Sequence, residues 1–88
     1  MPNKVSDLKC SKTKTGGLLL TWNDKTSNSK YKATSFLVIV RNRKREIVVR
    51  KPRVQLEGGK YYANYHFTVI AENFMGQSEH ASIRCTRD

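Results

Sequence analysis

Acidic residues are scarce in this 88-residue chain: 7 Asp and Glu stand against 17 Lys and Arg, for a formal net charge of +10. Such an excess points to contact with a polyanion or an acidic protein surface. Long apolar runs are also missing. The longest uninterrupted one is Phe36 to Val40, far below the ~20 residues of a membrane-spanning helix, so no direct membrane insertion is expected. Met1-Pro2-Asn3-Lys4 leads straight into a strand-like segment, with none of the pattern of a secretory signal. If the protein is exported or tethered, its signal and anchor lie outside these residues. No Asn-x-Ser/Thr acceptor and no Arg-Gly-Asp motif occurs.

Residues that carry chemistry are few. The two histidines, His66 and His80, fall on different expected strands, with no nucleophile or carboxylate at a telling spacing. Two cysteines and two histidines scattered along the chain give no zinc-ligand spacing. Gly16-Gly17 and Gly58-Gly59 read as turn glycines, since no phosphate loop leads from a strand into a helix. Neither catalysis, nor a metal, nor a cofactor is expected.

What the chain does have is alternation. Tyr65, Phe67, Val69 and Ala71 recur every second residue, with His66, Thr68, Ile70 and Glu72 between them. A period of two places one set on each face of a β-strand, over residues 64–72. Asn73-Phe74-Met75-Gly76 then supplies the turn, where Asn and Gly permit a positive φ. Similar patterns mark strands over residues 5–12, 18–22, 34–41, 46–50, 53–56 and a last one around 81–85. Val5, Leu8 and Cys10, then Leu18, Leu20 and Trp22, then Phe36, Val38 and Val40 should face inward. Val54 and Leu56, and Ala81, Ile83 and Cys85, should do the same. Between these strands, 23–30 is a polar loop with Tyr31 at its far end, and Lys51-Pro52 interrupts the chain because proline cannot donate to a sheet ladder. The whole length, 1–88, suits a single domain.

These residues resemble the fibronectin type III family. The run Tyr65-x-Phe67-x-Val69-x-Ala71-x-Asn73-x-x-Gly76, with Leu56-x-Gly58 upstream, is similar to its motif across the last three strands. Leu18-x-Leu20-x-Trp22 resembles the strand that ends in the family's core Trp. Phe36-x-Val38-x-Val40 resembles the strand after it, and Pro2-x-x-Val5-x-x-Leu8 the family's opening. The chain departs from the pattern at Gly59, where a second Leu is usual, and at Tyr61, where Pro is usual. Tyr61 or Tyr62 would then supply the missing core plug.

The resemblance implies an all-β fold: a seven-stranded antiparallel β-sandwich of immunoglobulin-like type. It makes Trp22 the largest core contributor, and makes Tyr65 a tyrosine corner whose hydroxyl bonds to upstream backbone. Cys10 and Cys85 fall on the first and last strands, which lie near each other in such a sandwich. A disulfide between them and two buried free thiols both remain open. Gly76-Gln77-Ser78-Glu79-His80-Ala81-Ser82 occupies the place of the Trp-Ser-x-Trp-Ser motif of type I cytokine receptors. Gln77 and His80 stand where its tryptophans would be, which disfavours that relationship.

Function then turns on surfaces. Arg41, Arg43, Lys44, Arg45, Arg50, Lys51 and Arg53 place seven of the 17 cations within thirteen residues, opposed only by Glu46. On a hairpin they are expected to concentrate positive potential at one end of one sheet, suited to a sulfated glycosaminoglycan or an acidic protein. Asn42-Arg43-Lys44-Arg45 begins like a heparin-binding string, although Val48 stands where a further base is expected. Nucleic acid is disfavoured, because no aromatic residues interleave with the bases. Leu37, Ile39 and Ile70, joined by Val48, are expected on the outer sheet face as an apolar patch with a basic rim, the composition of a protein interface. The expectation is a binding or adhesion module of an extracellular or cell-surface protein, with neighbouring domains in the same chain. The alternative is a rigid spacer in a tandem array, including one in a cytoplasmic muscle or cytoskeletal protein.

Overall fold

A computed structural model describes residues 2–24, 32–41, 44–57 and 65–85. Within them the alternating segments become β1 (Ser6–Lys12), β2 (Leu18–Asn23), β3 (Ser35–Val40), β4 (Arg45–Val49), β5 (Arg53–Leu56), β6 (Tyr65–Asn73), β7 (Gly76–Gln77) and β8 (Ala81–Cys85). All pairings are antiparallel. One sheet runs β1-β2-β5; the other runs β4-β3-β6, with both β7 and β8 paired to β6. Tyr31, Arg43, Gly58, Gly59, Tyr61 and Tyr62 lie outside the described residues.

The two sheets close over the inward sets read from the sequence. Leu20, Val38, Val40, Phe67, Val69 and Ala71 are fully buried, and Val54, Leu56 and Ala81 join them. Trp22 meets Phe36 edge-on with ring centroids 5.3 Å apart. That geometry adds about 0.5–1.5 kcal/mol to the area the pair buries. Tyr65 is buried at the start of β6 and stacks on Phe67, with centroids 6.2 Å apart. This is the position of a tyrosine corner, although the upstream backbone it would bond lies outside the described residues.

Two details depart from plain alternation. At the start of β1, Val5 and Leu8 both face the core although they are three positions apart, an odd step. The register against β2 shifts between Ser6 and Lys9, and Asp7 takes φ 53°. A bulge of this kind inserts one residue and restores the inward phase. Asn23 Nδ2 donates to Asp7 Oδ2 at 2.8 Å, which holds the bulged residue.

The second departure divides the expected last strand in two. Glu72 pairs with Gln77 and Val69 with Ala81, so three steps along β6 face four along its partner. The extra residue falls at 78–80. Ser78 is buried there; its N–H donates to the Ala71 carbonyl at 2.8 Å, and its Oγ accepts from the Ala71 N–H at 2.9 Å. A side-chain hydroxyl thus replaces the backbone acceptor that the bulge removes. Eight strands among the described residues, rather than seven, is the result.

Cys10 and Cys85 are joined by a disulfide. It links β1 of one sheet to β8 of the other, with Cα atoms 6.1 Å apart and a sequence separation of 75. Of the two states left open by the sequence, the bonded one is realised.

Candidate interaction surface

The outer face of the β4-β3-β6-β8 sheet follows from its register. Leu37 lies between Val48 on β4 and Ile70 on β6. One row on, Ile39 lies between Glu46 and Thr68, and Thr68 pairs with Ser82 of β8. Leu37, Ile39, Ile70 and Val48 therefore do form one apolar band. Its exposure is uneven. Ile70 is buried at 3%, because it sits on the central strand among neighbours from both sides; it is not open to a partner. Thr68 is equally closed, and its Oγ1 shares a 3.0 Å hydrogen bond with Ser82 Oγ. Leu37 and Ile39 are half-buried. Val48, on the edge strand, is 65% exposed and is the open end of the band.

The basic tract is arranged differently from the expectation of one charged end. Arg45 pairs with Val40, and Val49 with Phe36, so β4 carries the chain across the sheet. From Arg45 to Arg50 the strand covers about 17 Å at ~3.4 Å per residue. Arg41, Lys44 and Arg45 therefore stay at the β3–β4 turn, whereas Arg50 and Lys51 emerge at the opposite pole. Arg53 has crossed to the other sheet, opposite Thr21. All six are exposed. Sequence proximity hid this separation, because five extended residues are enough to cross the sheet.

The register also supplies companions that sequence reasoning missed. His66 pairs with Arg84 of β8 on the outer face. Arg41 follows Val40, whose partner Phe67 follows His66, so Arg41 lies just beyond β3 at the end of the sheet that carries the His66–Arg84 pair. Arg84 is exposed and His66 half-buried. Their only signal in the sequence was the outward phase of two strands far apart in the chain. At the opposite pole Arg50, Lys51, Lys32 and Pro52 border a cleft of about 330 Å³ over Trp22 and Phe36. Among the described residues no group of three or more His, Cys, Asp or Glu is placed to hold a metal ion, and no helix is long and apolar enough to cross a membrane.

Two antiparallel sheets packed face to face, with this strand order, define an immunoglobulin-like β-sandwich. No family model and no curated protein matches the chain by sequence. Solved structures do match it. The chain is similar to FN3tt mut at 19% identity and TM-score 0.77, covering 97% of this chain and 94% of that one. It is similar to a part of titin kinase and its flanking domains at 23% identity and TM-score 0.72, covering 100% of this chain and 17% of that one. It is also similar to the fibronectin type III domain of human fibronectin type III domain containing protein 3, at 17% identity and TM-score 0.67, covering 99% and 88%. The fold of this chain is that of a fibronectin type III module.

Proposed function

We propose that this domain is a non-catalytic binding module of a multidomain protein, working through the outer face of its larger sheet. The observation that carries the reading is the juxtaposition on that face of an apolar band, open at Val48, with the His66–Arg84 pair, and with Arg41 at the same end of the sheet. Apolar contact with a charged border suits a protein partner with an acidic surface. A sulfated glycosaminoglycan would use the cations alone. Lys44 and Arg45, at the β3–β4 turn, add two exposed cations at the same end of the sheet. Arg50, Lys51 and Arg53 form a second, separate set of cations. The Cys10–Cys85 bridge favours an oxidising compartment, and so an extracellular or cell-surface parent over a cytoplasmic one.

A spacer role has its own support. Ser6 pairs with Asn23 at one pole, while Cys85 pairs with Tyr65 at the other, so the chain enters and leaves at opposite ends of a body 39 Å long. Neighbouring domains of the same chain could stack along that axis.

The two readings separate in one experiment. The triple variant Arg41→Ala/Lys44→Ala/Arg84→Ala and the triple variant Arg50→Ala/Lys51→Ala/Arg53→Ala are compared with wild type for binding to heparin and to an acidic protein at two salt concentrations. Binding through the proposed face weakens in the first variant and loses salt dependence, while the second stays near wild type and both keep their thermal midpoints. No binding by wild type to either probe would leave the spacer.

A further inference from the structure

A sandwich has strand edges as well as faces, and this one protects its edges unequally. β1 carries the bulge at Asp7, and β8 lies beside β1 with the disulfide joining them. The 78–80 bulge interrupts the approach to β8. β5 is four residues long and follows directly on Pro52. β4 has none of these devices. Its five residues pair with β3 in unbroken register and include neither proline nor glycine. Among the described residues no backbone hydrogen bond joins residues 46–49 to any strand but β3. An edge strand of this kind exposes a row of N–H and C=O groups able to accept another strand.

The side chains say which strand. Val48, 65% exposed, gives the middle of the edge an apolar contact. Lys44 and Arg45 stand at one end of β4 and Arg50 and Lys51 at the other, with Glu46 the one acid between them. A second copy of this chain is a poor match. In a two-fold antiparallel pair centred on Ile47, Lys44 would face Arg50 twice over, and each partner carries a net charge of +10. An extended segment with carboxylates at both ends and small β-branched residues between them meets cations at each end and Val48 in the middle.

We propose that β4 is a strand-addition edge for an extended acidic segment of a protein partner, held by backbone hydrogen bonds and oriented by the flanking cations. The inference rests on the binding reading above, in that the hairpin cations attract the partner, and adds that β4's backbone makes the contact.

The probe is a capped eight-residue peptide with two glutamates at each end and alternating Val and Thr between them. Its twin carries N-methyl groups on alternate backbone amides, which removes one hydrogen-bonding edge and leaves side chains and charge unchanged. Hydrogen exchange of the β4 amides and titration by NMR are read for both. Strand addition protects alternate amides of β4, and methylation weakens binding by about tenfold or more. Lys44→Gln/Arg50→Gln/Lys51→Gln, three exposed changes, weakens the unmodified peptide by a similar factor at low salt. Equal binding of the two peptides would overturn strand addition while leaving a charge-driven contact. Heparin binding with no binding of either peptide would also overturn it, and the binding reading would stand; silence toward every probe would end both. A concentration-dependent dimer with protected β4 amides would assign the edge to a second copy instead, against the proposal.

Discussion

Removing the Cys10–Cys85 bridge should cost this domain much of its stability. The bridge closes a loop with a sequence separation of 75 residues. In the chain-entropy description, the loss on cross-linking the unfolded chain is about 15 cal/mol/K for such a loop, which is about 4.5 kcal/mol at 25 °C. A domain of this size is stable by only ~4–13 kcal/mol in all, at ~0.05–0.15 kcal/mol per residue. The bridge is thus worth a third of the total or more. Because 1 kcal/mol moves the midpoint of so small a domain by ~4–8 °C, Cys10→Ala/Cys85→Ala is expected to melt roughly 20–35 °C below the oxidised wild type. Reduced wild type should fall by a similar amount, which separates loss of the cross-link from loss of the buried Cys85 sulfur. A second signature comes from the unfolded state. Without the cross-link the denatured chain expands, so the slope of stability against urea should rise. Urea titration and calorimetry on the three samples, with thiols counted by alkylation and intact mass, measure both effects. A midpoint change below about 5 °C with an unchanged urea slope would refute the loop-closure argument.

Two smaller perturbations test local claims about the fold. Ser78→Ala leaves the Ala71 N–H buried without its Oγ acceptor, and should cost about 1–3 kcal/mol in urea titration; a loss under about 0.5 kcal/mol would mean that the hydroxyl does not close the bulge. Gly17→Ala drives a Cβ into the Leu56 carbonyl at the end of β5. The backbone must shift to admit it, so a loss of about 1–3 kcal/mol is expected by thermal melting. Gly17→Ala at wild-type stability would show that the β1–β2 turn and β5 do not approach so closely.

Alternation carried much of the fold. Phe67, Val69 and Ala71 face one way because each residue of a strand reverses the side chain's direction, and that rule acts within a few residues. Leu18, Leu20 and Trp22 obey it, as do Phe36, Val38 and Val40, and all are buried together. The family resemblance made a Cys10–Cys85 bridge possible by placing both on neighbouring strands, with two free thiols as the alternative; the structure realises the bridge. Ser78 gave no signal of its role, since Gly76-Gln77-Ser78 reads as an ordinary turn. Its importance appears only when the residues facing it on β6 are counted. Arg84 was passed over for the same reason: nothing in its own neighbourhood refers to Arg41 or His66.

The sequence by itself determined which side chains could share a face, where the chain must turn, and how strongly the surface is charged, since all of these depend on local geometry and composition. Only the tertiary structure decided which faces meet, because strand register is set by packing among segments remote in the chain. Register separated Arg50 and Lys51 from Arg41 and Lys44, although a few positions lie between them. It also brought Arg84 into the row of His66, buried Ile70 and left β4 as the open edge. The chemistry of the candidate surface was legible residue by residue. Its arrangement belongs to the fold.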